Sequence, residues 1–197
     1  MVSKASLDVR DIQLDDVPTR YMNPGELEVL VALVKSTFAY PSRMVEFGCN
    51  IGRTAKVILR EVPSLVSYVG IDVRPGYQYA CEVQKNETPQ NPGQLVQEDV
   101  RFQLLLSERG TFDFTKNDIG KADVVFIDGD HSYDAVRHDS FLAKEIVRSG
   151  GIIIWHDYHT IPTVGVRKAL EEFHSVDGID IKYVENTWLA FHYVKGI

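Results

Sequence analysis

The stretch Arg43 to Arg60, RMVEFGCNIGRTAKVILR, decides the fold of this chain. Met44, Val45 and Phe47 have the apolar run of a short buried strand, and Gly48 and Gly52 bracket a tight turn. Ile51, Ala55, Ile58, Leu59 and Val62 then recur at helical spacing. The pattern predicts a strand, a glycine loop and a helix. In an open α/β sheet such a turn lies at the carboxyl end of a strand, where glycines let a ligand approach the backbone and the helix amides point at it. The expected ligand is a nucleotide-like cofactor.

The spacing narrows the choice. A dinucleotide fingerprint reads G-x-G-x-x-G, whereas here Cys49, Asn50 and Ile51 separate the two glycines, and Glu46 precedes them. The glycine that would lie close to a pyrophosphate is missing. The stretch resembles motif I of the class I S-adenosylmethionine (SAM) dependent methyltransferases, whose cofactor lacks a pyrophosphate. That resemblance implies that Glu46, Gly48, Asn50 and Gly52 shape a methionine-binding loop. A plain structural turn is the alternative.

With 197 residues, 44% hydrophobic and 25% charged, the chain suits one globular domain with a substantial core. A net charge of -7 and a pI near 5.3 argue against nucleic acid or an anionic membrane as the main partner. The first 20 residues lack the apolar core of a signal peptide, and no run approaches the roughly 20 apolar residues of a membrane span. A soluble, cytoplasmic protein is expected. Cys49 and Cys81 form no metal-type pair and are too few for a disulfide scaffold, so both are read as free thiols.

In chain order, residues 1–22, with Asp8, Asp11, Asp15 and Asp16, read as a loose N-terminal arm, and residues 23–197 as a single domain. Asn23-Pro24-Gly25-Glu26 carries the signals of a capped helix start, followed by the apolar stripe Leu27, Leu30, Val31, Val34 and Phe38. Tyr68 to Val73 reads as a second strand. Asp72 falls 24 residues after Gly48, near where an acid ending strand two can accept both ribose hydroxyls. That role suits NAD and SAM equally, and a turn or capping aspartate is the bland reading. Pro75 to Lys85 reads as a short helix, Gln94 to Gln97 as a third strand ending at Glu98-Asp99, and Val100 to Leu106 as an amphipathic segment. In the methyltransferase pattern an acid after strand three contacts adenine, which makes Asp99 the candidate; helix capping explains it equally well.

Ala122 to Tyr133, ADVVFIDGDHSY, is the second informative stretch. Four consecutive apolar residues predict a strand buried on both faces, ending in Asp128, Asp130 and His131. The FIDGDHSY run resembles the signature of the small methyltransferase group that includes the macrocin and cephalosporin-type O-methyltransferases. Asp134 to Arg148 reads as a helix stopped by Ser149-Gly150-Gly151, and Gly151 to Trp155 as a fifth strand ending in His156-Asp157-Tyr158-His159. Pro162 opens a further helix, and Ile179–Tyr183 with Trp188–Tyr193 close the chain as a hairpin. The expected fold is α/β: a Rossmann-like, doubly wound, mostly parallel seven-stranded sheet with a C-terminal antiparallel hairpin.

Methyl transfer from a sulfonium is an in-line displacement, so the protein mainly aligns the acceptor oxygen and removes its proton. The resemblance implies SAM-dependent O-methylation of a small-molecule hydroxyl such as a sugar, a polyketide or a phenol. In the catechol-type O-methyltransferases, similar in fold, a divalent ion is held by an acid after strand four and an acid pair after strand five. Motif matching places Asp128, His156 and Asp157 there. Histidine stands where a carboxylate is usual, and it suits Mn²⁺, Fe²⁺ or Zn²⁺ better than Mg²⁺. His131, with an ordinary pKa near 6.5, is the candidate general base, against the alternative of a hydrogen-bonded structural residue. Two other functional classes stay open: a nicotinamide oxidoreductase, disfavoured by the absent G-x-G-x-x-G, and a non-catalytic SAM-binding module. A homo-oligomer closing the site with a partner subunit is a further expectation.

Overall fold

The structure is a computed structural model that describes residues 2–7, 9, 12, 14, 22, 23, 25–37, 41–161 and 164–195. Asp8, Asp11, Asp15, Asp16, Tyr21, Pro24, Phe38 and Pro162 therefore lie outside the described residues. Among the described residues eight strands form one sheet: β1 (Ser3–Ala5), β2 (Arg43–Phe47), β3 (Ser67–Val73), β4 (Phe102–Ser107), β5 (Ala122–Ile127), β6 (Val147–Trp155), β7 (Lys182–Val184) and β8 (Ala190–Tyr193). Their order is β1-β7-β8-β6-β5-β2-β3-β4. Strands β2 to β6 pair in parallel, and β8 runs antiparallel to both β6 and β7. The eighth strand is the difference from expectation: Ser3–Ala5, read as part of a loose arm, pairs in parallel with β7.

The helices are α1 (Glu26–Lys35), α2 (Arg53–Glu61), α3 (Lys116–Ile119), α4 (Tyr133–Ile146) and α5 (Val166–Ser175). Strand alternation divides the core between them. On one face Met44, Val124, Phe126, Ile152 and Ile154 pack with Leu30 and Leu33 of α1 and Ile58 of α2. On the other, Val45, Phe47, Val125, Ile153 and Trp155 pack with Val136 and Ala143 of α4 and Leu170 and Phe173 of α5. Val124 to Ile127 are all buried, as expected of a central strand. Cys49 and Cys81 are both buried, and among the described residues neither is in a disulfide.

Several boundaries move. The third strand is Phe102–Ser107, not Gln94–Gln97, which lies in a run of turns. Val96 packs over Gly52, so its apolar character serves the glycine loop rather than a strand. Pro75 to Lys85 holds only a single 3-10 turn at Glu82–Gln84. Helix α4 stops at Ile146, and β6 begins at once. The Arg148-Ser149-Gly150-Gly151 segment is then a bulge in β6, because Ala122 pairs with Val147 while Val124 pairs with Ile152. Helix α1 starts on Gly25, at φ 85°, with no side-chain cap. Among the described residues, no helix is long and apolar enough to cross a membrane.

Candidate functional site

The strands β3, β2, β5 and β6 end side by side, and their carboxyl ends with the following loops frame a cavity of about 610 Å³. At the β2 end the chain turns sharply. Gly48 and Gly52 have φ of 83° and 87°, and Asn50 joins them at 47°. Gly48 is obligatory in a second way, since a Cβ there would fall 2.2 Å from the Asp128 carbonyl oxygen. Asn50 stabilises its own strained turn, its Oδ1 accepting from the Ile51 amide at 2.8 Å and its Nδ2 donating to the Glu87 carbonyl at 3.1 Å.

Asp72, buried one residue before the end of β3, locks this loop to the neighbouring strand. Its Oδ2 accepts from the Asn50 amide at 2.6 Å and its Oδ1 from the Val73 amide at 2.7 Å. Burial outweighs these bonds and pushes its pKa up to about 6. Glu46 is fully buried and accepts from the Tyr68 hydroxyl at 2.8 Å. Desolvation raises it to about 8, so it is a neutral acid at pH 7. Asp99 does not join the cavity. It precedes β4, at the strand's amino end, and its carboxylate grips the Arg101 guanidinium at 2.6 and 2.9 Å. The misplaced third strand put it at the wrong end of the sheet.

The other end of the cavity is built from β5 and β6. His131 Nε2 lies 3.0 Å from Asp157 Oδ2 and 3.8 Å from Asp128 Oδ1. Burial opposes a charged ring, but hydrogen bonds to Asp128 and Asp157 and their negative charge prevail, raising its pKa to about 10. His156 faces the same two acids through Nδ1, at 3.1 Å from Asp128 and 3.0 Å from Asp157. Its Nε2 is 3.2 Å from Glu26 Oε2. Burial again opposes the charge, yet the carboxylates hold the ring well above its ordinary pKa, so it is an imidazolium donating at both nitrogens. Asp157 is buried too, but the His156 charge and hydrogen bonds from three histidines keep it well below the usual carboxylate range. Its backbone takes φ 57°, which aims the carboxylate between the rings.

Asp128, His131 and Asp157 each offer a ligand atom within 4.8 Å of the others, which makes them the candidate cation set among the described residues. His156, expected in that set, has both ring nitrogens committed to carboxylates. It lies behind the cluster as a counter-charge, and His131 stands in its place in the candidate set.

Three contributors were not legible as site residues. Glu26, read as a helix-capping residue, is completely buried, and its carboxylate accepts from Asn23 (amide 2.7 Å, Nδ2 3.1 Å), from His156 and from the Trp188 amide. Gln84 holds the His131 loop in place, accepting from the His131 amide at 2.7 Å and donating to the Gly129 carbonyl at 2.8 Å. His159, at the end of the same run, has Nε2 3.5 Å from Asp157 Oδ1 and sits edge-on to Trp188, ring centroids 4.4 Å apart. Tyr133 is turned away, its hydroxyl donating to Glu172 of α5 at 2.6 Å.

A methyltransferase-domain family model matches residues 45–158, which span both the glycine loop and the acid–histidine cluster. No curated protein sequence matches the chain. Among solved structures, the O-methyltransferase NovP is similar at 16% identity and TM-score 0.64, over 86% of this chain and 79% of that one. TomG, an O-methyltransferase from Streptomyces achromogenes solved in complex with SAM, is similar at 15% identity and TM-score 0.60, over 92% and 84%. The S-adenosylhomocysteine-bound methyltransferase PaMTH1 from Podospora anserina is similar at 14% identity and TM-score 0.62, over 86% and 78%. At these identities the likeness establishes the shared fold.

Proposed function

Because the chain belongs to the methyltransferase-domain family, we propose that it transfers the methyl group of SAM to a hydroxyl of a small molecule. The observation carrying this reading is one cavity with the glycine loop and Asp72 at one end and Asp128, His131 and Asp157 at the other. A cofactor bound over the loop would direct its methyl group at an acceptor held beside the cluster. Asp72 keeps unused lone pairs on both oxygens after accepting from Asn50 and Val73, and these suit the ribose hydroxyls. Arg53, in the first turn of α2, lines the cavity, and its buried Nε has no partner among the described residues. With the free amides of that turn it suits the methionine carboxylate.

His131 is the group placed to take the acceptor proton. At a pKa of about 10 it is protonated at neutral pH and cannot accept one. A sulfonium bound nearby would add positive charge and draw that pKa back toward neutrality. In the other mode the residues allow, a divalent cation held by Asp128, His131 and Asp157 would itself lower the pKa of an acceptor hydroxyl, with His131 a ligand and not the base. Two oxygens and an imidazole nitrogen suit Mn²⁺ or Fe²⁺ better than Mg²⁺.

Calorimetric titration of chelator-treated protein with S-adenosylhomocysteine, with NAD, and with Mn²⁺ or Mg²⁺ tests the proposal. S-adenosylhomocysteine is expected to bind in the micromolar range and NAD not at all. Asp72→Asn should weaken the former about 100-fold, or about 2.7 kcal/mol. His131→Ala should leave that affinity unchanged while lowering SAM turnover on hydroxyl acceptors by about 10²-fold or more. NAD binding in place of S-adenosylhomocysteine would overturn the reading.

A further inference from the structure

A second cavity, of about 30 Å³, adjoins the main one at Gly48, Asp72 and Tyr79, which line both. A cofactor with its methionine end over the glycine loop and its ribose on Asp72 extends its base away from that loop, into this second space. Asp99, expected to read the base, lies instead at the amino end of β4. The second cavity draws on the turn after β4, where Thr111 and Phe112 line it, and on Asp139 of α4. Its volume is less than a purine fills, so Tyr79 must turn aside on binding, and residues 74–81 around it form neither helix nor strand.

Asp139 is the informative group. It is 2% exposed, and its Oδ1 accepts from the Thr111 hydroxyl. Its Oδ2 has no hydrogen-bond partner among the described residues, a costly state for a buried carboxyl oxygen. A Cβ at residue 129 would lie 3.5 Å from this oxygen and help to cover it; Gly129 leaves it open. Asp130, a neighbouring acid of the same cavity, is already engaged by the Ser132 amide at 2.8 Å and by the Tyr77 hydroxyl. Phe112 adds a flat face at the rim, 43% exposed and stacked on the His138 ring at 4.1 Å and 15°. A bare acceptor beside an aromatic plate suits a flat heterocycle that carries an amino group.

We infer that Asp139, anchored by Thr111, is the residue that selects adenine, its unpartnered Oδ2 accepting a hydrogen bond from the 6-amino group. This rests on the methyltransferase reading, and the experiment separates the two. Calorimetric titrations compare S-adenosylhomocysteine with S-inosylhomocysteine, in which a 6-oxo group replaces the 6-amino group. They are run at pH 8, where a carboxyl of pKa about 7 is ionised and only accepts. The parent should bind the adenine form at least about tenfold more tightly, because the oxo group sets acceptor against acceptor. In Asp139→Asn the side-chain oxygen stays with Thr111, which turns the amide NH₂ toward the base. The variant should lose about tenfold in S-adenosylhomocysteine affinity and gain for S-inosylhomocysteine, so that the preference disappears or reverses. A merely structural residue would move both affinities alike. Thr111→Val, which frees Asp139 to rotate, should narrow the same preference. Failure of the parent to bind S-adenosylhomocysteine would remove the methyltransferase reading and this inference with it. Equal affinity of the parent for the two forms, or a preference unchanged in both folded variants, would overturn the inference alone.

Discussion

The two halves of the cavity are built by different means. At the cofactor half the shape is set by backbone: three residues at positive φ, Gly48, Asn50 and Gly52, all within one loop that is tied to Asp72 of the next strand. At the acceptor half it is set by side chains: Glu26, Gln84, His131, His156, Asp157 and Trp188 come from five regions of the chain and meet through hydrogen bonds and charge. A backbone-built site is local and tolerates almost no change of residue type. A side-chain-built site is assembled by the whole fold, and single members can change while the frame survives.

The largest effect should therefore come from Gly48→Ala. The added methyl would sit 2.2 Å from a carbonyl of the β5 end, on a backbone already at φ 83°, so loop and strand must separate. The expected loss exceeds about 4 kcal/mol, seen as insoluble protein or a collapsed denaturant midpoint. A well-folded variant with normal stability would mean that the cofactor half is not fixed by backbone contact.

Asp139 sharpens the comparison, since it is a side chain on α4 buried behind the cofactor half, where its carboxyl accepts from the Thr111 hydroxyl. Burial, only partly offset by that bond, raises its pKa to about 7, from 3.8. A folded-state pKa above the unfolded one means that its contribution is complete below about pH 4 and is lost as pH rises through about 7. Over that window the loss amounts to at most about 4 kcal/mol. Asp139→Asn keeps an acceptor for Thr111 and removes the titration. Its stability relative to the parent should rise from pH 4 to pH 8 in urea unfolding; a constant difference would show that Asp139 does not titrate in this range.

The same contrast explains what the sequence disclosed. The glycine loop, the acid ending β3 and the FIDGDHSY strand were legible because each is a local pattern: apolar run, turn residues, helical spacing. The closing hairpin was legible for the same reason. Asp99 failed because Val96, placed to cover Gly52, imitates a strand residue, and the true β4 resembles an amphipathic helix at Val100 to Leu106. The bulge at Arg148 to Gly151 was hidden because Ser-Gly-Gly signals a helix stop and a bulge alike. Glu26 and Gln84 could not be found by pattern, since their partners lie 130 and 47 residues away. The weak available signal for Glu26 was its place ahead of an apolar stripe, where capping accounts for it fully.

Glu26→Gln should have the smallest effect, and it probes the side-chain-built half directly. Glu26 joins the start of α1, His156 and the Trp188 amide, and so fixes the His156 ring whose other nitrogen draws Asp128 and Asp157 together. Glutamine retains an acceptor for Trp188 but withdraws the negative charge from His156, so the imidazolium turns its full charge toward the two aspartates. The acid pair and His131 should then shift by fractions of an ångström, enough to lower kcat about tenfold, or about 1.4 kcal/mol. S-adenosylhomocysteine affinity should not move, because none of these bonds reaches the glycine loop. Glu26→Ala would also leave the Trp188 amide without its buried acceptor and should raise the acceptor KM as well. If Glu26→Gln instead weakened cofactor binding, the two halves would be one mechanical unit, and the division between backbone-built and side-chain-built ends would fail.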